Sequence, residues 1–108
     1  MTSVDISKVN NTVVVSVAGH AEYNPGNDVV CAGLSTLTQS LFATLEYYES
    51  KNKCCIKSKQ IKEDIGTALI SFTYSSEKEI EAVINMAVIG FSMLANTYPK
   101  NIFINCEL

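Results

Sequence analysis

The sequence predicts an α+β domain: a two-layer sandwich of order ββαββαβ, with two helices packed on a mostly antiparallel sheet. Two long segments repeat apolar residues at spacings of three and four, and short β-branched or aromatic runs lie on either side of them. At 108 residues there is material for one core, so a single domain spanning 1–108 is expected. No internal repeat, low-complexity tract or linker interrupts the chain.

Val4, Ile6 and Val9 alternate with polar residues up to Asn10-Asn11, and a β-branched run follows from Thr12 to Ala18. This is the pattern of two strands joined by a tight turn, where asparagine tolerates the positive φ that such turns demand. From Gly19 to Asn27 the periodicity stops, and glycine, proline and asparagine mark a loop. Asp28 then opens an amphipathic helix whose stripe is Val30, Leu34, Leu37, Leu41, Leu45 and Tyr48. Cys54 to Ser58 and Ala68 to Tyr74 read as a hairpin with a polar connection ending at Gly66. Ser76 and Glu79 have capping-box spacing ahead of a second stripe: Ile80, Val83, Ile84, Ala87, Val88, Phe91, Leu94 and Ala95. Pro99 closes that helix, and Ile102 to Ile104 form a last short strand.

Apolar residues make up 47% of the chain and charged ones 18%, the balance of a globular domain. A net charge of −3 argues against a nucleic-acid ligand, which needs a basic stripe to release counterions. The lysines at 51, 53, 57, 59 and 62 lack interleaved aromatic residues and read as a solvated face. The first ten residues have no uninterrupted apolar stretch and no run approaches membrane-spanning length, so a cytoplasmic location with no membrane partner is expected. Cys54 and Cys55 are adjacent, and free thiols are expected in that compartment. One histidine with cysteines at 31, 54, 55 and 106 has no paired short ligand spacing, so neither a metal nor another cofactor is expected.

The chemistry is concentrated in residues 19–35. With Asp28 as N-cap, Cys31 is the third helical residue, where free N–H groups and the macrodipole favour a negative sulfur. The thiolate is the nucleophilic form of cysteine, and a helix start with a nearby imidazole is an established way to produce it. The same N–H groups are expected to hold an oxyanion. His20 is the sole histidine and ends a strand just before the loop. Each residue also has an ordinary use: Cys31 as a small packed side chain, His20 as a surface imidazole and Asp28 as a plain helix cap. Ser35, one turn after Cys31, lies on the same helix face, where its hydroxyl can approach the thiol or imidazole or bond back to the Cys31 carbonyl.

Gly19-His20-Ala21, then Gly26, then Asp28-x-Val30-Cys31-Ala32-Gly33-x-Ser35 resembles the signature of the ribosomal-processing cysteine protease family, Prp. The element order and Tyr98-Pro99 before the final strand are similar as well, so the resemblance covers essentially the whole chain. It implies a cysteine endopeptidase with Cys31 as nucleophile and His20 as general base and acid. Asp28, Ser35, Gly19 and Ala32 support the pair. The loop of Ala21, Glu22, Tyr23, Asn24, Pro25, Gly26 and Asn27 moves to admit a protein substrate. Members of the family are homodimers and remove an N-terminal extension from the twenty-seventh protein of the large ribosomal subunit. Phage-related members are expected to cut capsid or scaffold proteins. Two readings from other classes stand beside this one. The first is a thiol redox protein in which Cys54, Cys55 or Cys106 resolves Cys31, and the second is a non-catalytic dimeric module for ribosome or capsid assembly.

Overall fold

The computed structural model describes residues 1–24, 28–63 and 66–108. Its elements are β1 (Thr2–Val9), β2 (Thr12–Ala18), α1 (Val29–Ser50), β3 (Cys55–Lys62), β4 (Thr67–Thr73), α2 (Lys78–Thr97) and β5 (Ile102–Glu107). The five strands form one sheet in the order β3-β4-β2-β1-β5. Three neighbouring pairs are antiparallel and β1 with β5 is parallel, so the sheet is mixed and, as expected, mostly antiparallel. Hairpins account for β1–β2 and β3–β4, whereas α2 carries the chain from β4 to the far edge, where β5 enters beside β1.

Strand alternation decides which face is covered. Val13, Val15 and Val17 are buried along β2, and their register partners Ile6, Val4, Phe72 and Ile70 are buried on the same face. They form one core with Val30, Leu34, Leu41, Phe42 and Leu45 of α1 and Ile80, Ile84, Ala87, Phe91 and Ala95 of α2. The other face of β2 carries Thr12, Val14 and Ser16, which no helix covers and which are partly exposed. The sandwich therefore has two layers.

The elements follow the expected order, except that β5 runs on to Glu107, past the expected Ile104, and with three further corrections. Asn10 does adopt positive φ (56°) at the first turn. β3 runs on to Lys62, beyond the expected Ser58, because it is an edge strand whose polar residues are exposed and whose pairing comes from β4 alone. The expected capping box at Ser76 and Glu79 does not form. The second helix begins at Lys78 behind Glu77, whose side chain accepts a hydrogen bond from the Ser75 N–H (2.9 Å) and makes no cap bond. The third correction concerns hydrophobicity. By length and composition α2 is long and apolar enough to cross a membrane. It is nevertheless a core helix with a second, outward apolar stripe: Met86, Ile89 and Met93 are 54%, 60% and 65% exposed.

Candidate active site

The end of β2 and the start of α1 are brought together by a set of backbone bonds. Gly19 has a φ of +96°, and a side chain there would put its Cβ 2.5 Å from the Met1 carbonyl oxygen, so glycine is required where the strand turns outward. The Gly19 N–H donates to the Gly66 carbonyl (2.9 Å), and Thr2 Oγ1 donates to the Gly19 carbonyl (3.3 Å). His20 follows directly and is exposed, while Ala21 is buried at 1% exposure. Asn101, in the turn between α2 and β5, donates its amide to the Ala21 carbonyl (2.9 Å). The Ala21 N–H in turn points at Cys31 Sγ (3.4 Å).

On the helix side, Asp28 is the N-cap, as its sequence position predicts. Its Oδ1 accepts from the Cys31 N–H (2.9 Å), and its Oδ2 accepts from the N–H groups of Tyr23 (2.9 Å) and Asn24 (3.4 Å). One carboxylate thus ties the loop to the helix start. The Cys31 bond, ahead of the bonds from Tyr23 and Asn24, holds the carboxyl below its ordinary range against the opposing effect of burial. The expectation that helix-start N–H groups await an oxyanion fails at two positions. The Cys31 N–H is committed to Asp28 Oδ1, and the Ala32 N–H to the Asp28 carbonyl (3.0 Å).

His20 and Cys31 line one open cleft of about 360 Å³. Ser35 and Thr38 continue its helical wall, and Ile61, Gly66 and Ala68 from the β3–β4 hairpin form the opposite one. Half-buried Cys31 is followed at one-turn intervals by Ser35 and Gln39, so a polar row leads away from the sulfur. Ser35 Oγ accepts from Gln39 Nε2 (2.7 Å), a partner not foreseen among its three alternatives. Thr38 is 5% exposed, and its hydroxyl lacks a hydrogen-bond partner among the described residues.

Of the loop residues singled out from the sequence, Ala21 is buried, Glu22 is exposed with positive φ (58°), and Asn24 bonds to Asp28. Tyr23 meets Tyr98 edge-on with ring centroids 5.2 Å apart. Pro25, Gly26 and Asn27 lie outside the described residues. Ala32 is exposed on α1, one residue past the sulfur. The other cysteines are elsewhere in the fold. Cys54 precedes β3 with Sγ against the Leu45 carbonyl (3.4 Å), and burial, then the Glu49 charge, pushes its thiol up. Cys55 and Cys106 are exposed.

Thr38, Gln39 and Asn101 escaped the sequence reading, and Gly66 was read only as the end of a connection. Gln39 carried a usable signal, being two turns from Cys31 on the same face. Asn101 carried none, because its contact spans 80 positions.

The family model described as cysteine protease Prp matches residues 1–103. The chain belongs to that family. Its fold is similar to that of the essential ribosomal processing protease Prp from S. aureus in complex with a covalently linked product peptide. The TM-score is 0.79 at 23% identity, over 99% of this chain and 100% of that one. The same S. aureus protease in complex with a substrate peptide gives 0.71 at 21% identity, with 99% and 100% covered. SMU.848 from Streptococcus mutans gives 0.78 at 24% identity, with 99% and 94% covered. No curated protein matches the chain. At these identities the structures establish a common fold, and membership in a cysteine protease family rests on the family match.

Proposed function

We propose that the chain is a cysteine endopeptidase in which Cys31 is the nucleophile and His20 its proton-transfer partner. The observation that carries this reading is their convergence: the sole imidazole and a half-buried helix-start thiol line one cleft, with the Ala21 N–H aimed at the sulfur at 3.4 Å. Cys31 Sγ, its proton passed to His20, attacks the scissile carbonyl. His20 then delivers that proton to the leaving amine, and water releases the acyl-enzyme. With the N–H groups of Cys31 and Ala32 committed, the Ala21 N–H is the oxyanion donor this reading favours. Asp28 and Gly19 act as positioning residues through the hydrogen bonds they make, Ser35 lines the same cleft, and Ala32 follows Cys31 on α1. In this reading the described part of the loop, Ala21 to Asn24, takes part in admitting the peptide substrate. No metal or cofactor enters the scheme.

The substrate in this reading is the N-terminal extension of the twenty-seventh large-subunit ribosomal protein, cut in the cytoplasm. The S. aureus relative, described as a ribosomal processing protease and seen with substrate and product peptides, supports it. A phage capsid or scaffold protein is the second candidate. A homodimer is part of the proposal, and the outward stripe of Met86, Ile89 and Met93 is the surface that favours it. The test is to incubate wild type and Cys31→Ala with the extended ribosomal protein and read its N-terminal mass. Removal of the extension by wild type alone is expected. An intact ribosomal protein alongside a cleaved capsid or scaffold protein would move the substrate assignment to the phage, and no cleavage of either would remove it.

A further inference from the structure

We propose that Gly66 is a positioning residue for His20: just ahead of β4 its bare backbone lets the imidazole lie directly on it. The inference rests on the proposed pairing of His20 with Cys31. A Cβ built on Gly66 would stand 2.9 Å from Cε1 and 3.0 Å from Nε2 of the ring, and 3.0 Å from the Gly19 carbonyl oxygen. Real Cβ atoms essentially never come closer than 3.0 Å to a neighbour, and nine in ten stay beyond 3.4 Å. The Gly19 oxygen is backbone, and its own residue is fixed by the N–H bond to Gly66, so the adaptable partner is the ring.

Any side chain at 66 therefore moves the imidazole edge by several tenths of an ångström. That edge bears one of the two nitrogens through which a histidine exchanges protons. Gly66 also has a φ of +64°, which by itself favours glycine, so backbone strain and ring contact must be separated by experiment. Asparagine separates them, since it tolerates the left-handed region better than alanine yet carries the same Cβ. Gly66, His20 and Cys31 all line the same cleft, so a shift of the ring is felt where the thiol reacts.

The experiment follows alkylation of Cys31 by iodoacetamide at its own peptide by mass spectrometry, from about pH 5 to about pH 9, a range spanning ordinary histidine and cysteine titration. It compares wild type, His20→Ala, Gly66→Ala and Gly66→Asn. Both Gly66 variants are expected to slow alkylation at neutral pH by about tenfold and to move the profile toward that of His20→Ala, given that about 1 Å of misplacement can cost about a hundredfold. If His20→Ala departs from wild type while both Gly66 variants overlay it, the inference fails and the pairing stands. If Gly66→Ala is slow and Gly66→Asn normal, backbone strain is the cause and the inference fails. If His20→Ala itself overlays wild type, the pairing fails and this inference with it.

Discussion

The first turns of α1 and α2 treat the positive end of a helix in different ways. At α2, Glu77 holds the N-cap position without a side-chain cap bond, and Glu79 and Glu81 supply negative charge in the first turn. The Glu79 carboxyl is held below its ordinary range first by its own backbone N–H and then by Lys53, whose Nζ is 3.4 Å away. At α1 there is no acidic residue in the first turn. Asp28 closes the end from outside, and the third helical position holds a thiol. First-turn carboxylates thus meet the positive end of α2, whereas at α1 the Asp28 cap alone meets it and the third helical position is left to a thiol. Two helices with the same core duty differ at the turn where the proposed chemistry lies.

The sharpest way to break this contrast is at the imidazole. His20→Ala is expected to lower kcat/KM for an extended-protein peptide by about a hundredfold to ten-thousandfold, the usual worth of general acid–base help, with the melting temperature nearly unchanged because the side chain is exposed. A variant that cleaves at the wild-type rate would reduce the α1 start to packing.

Next in size come changes that should not distinguish the helices. Phe42→Ala in α1 and Phe91→Ala in α2 each empty a site at 0–2% exposure and are expected to cost about 3–5 kcal/mol in urea unfolding. A much smaller cost for one of them would mean that the helices do not share one core.

The caps themselves give a smaller and more selective effect. Asp28→Ala releases the N–H groups of Cys31, Tyr23 and Asn24 together and is expected to reduce kcat/KM by about tenfold through misplacement of the sulfur. Glu77→Ala, at the corresponding position of α2, should leave kcat/KM unchanged. Equal losses would contradict the comparison.

The smallest effect is a pH dependence. The folded Asp28 carboxyl is held below the ordinary value of 3.8, so near that pH the unfolded chain binds more protons at this group than the folded one. Its stabilisation is present above about pH 4 and is lost as pH falls through the lower folded value. Calorimetry of wild type should show a steeper fall in melting temperature between about pH 5 and about pH 3 than Asp28→Asn shows. Parallel slopes would mean that the cap bonds do not favour the charged form.

Local pattern made much of the molecule readable from the sequence. Both stripes, the Asn10-Asn11 turn, the Asp28 cap and the residues 19–35 needed only neighbours within a few turns. β3 came out short because Lys57, Ser58, Lys59, Gln60 and Lys62 carry no apolar alternation, and an edge strand takes its order from its partner. The capping box misled because its spacing is a local signal that the chain overrode when Glu77 turned to Ser75. Phe42 was passed over because it sits one residue beside the stripe that was read, yet its ring is fully buried. Within the candidate site, Cys31 and His20 were legible as candidates from position, whereas the contacts of Gly66 with His20 and of Asn101 with Ala21 span 46 and 80 residues and exist only once the sheet is assembled.

The most direct test of the central claim compares cleavage of the extended ribosomal protein by Cys31→Ala and by a triple variant with Cys54, Cys55 and Cys106 replaced by serine. Loss of cleavage in Cys31→Ala with retention in the triple variant is the predicted result, since a peptidase needs one thiol and no resolving partner. Cleavage by Cys31→Ala, or its disappearance in a folded triple variant, would contradict the account; the second result would turn it toward thiol redox chemistry.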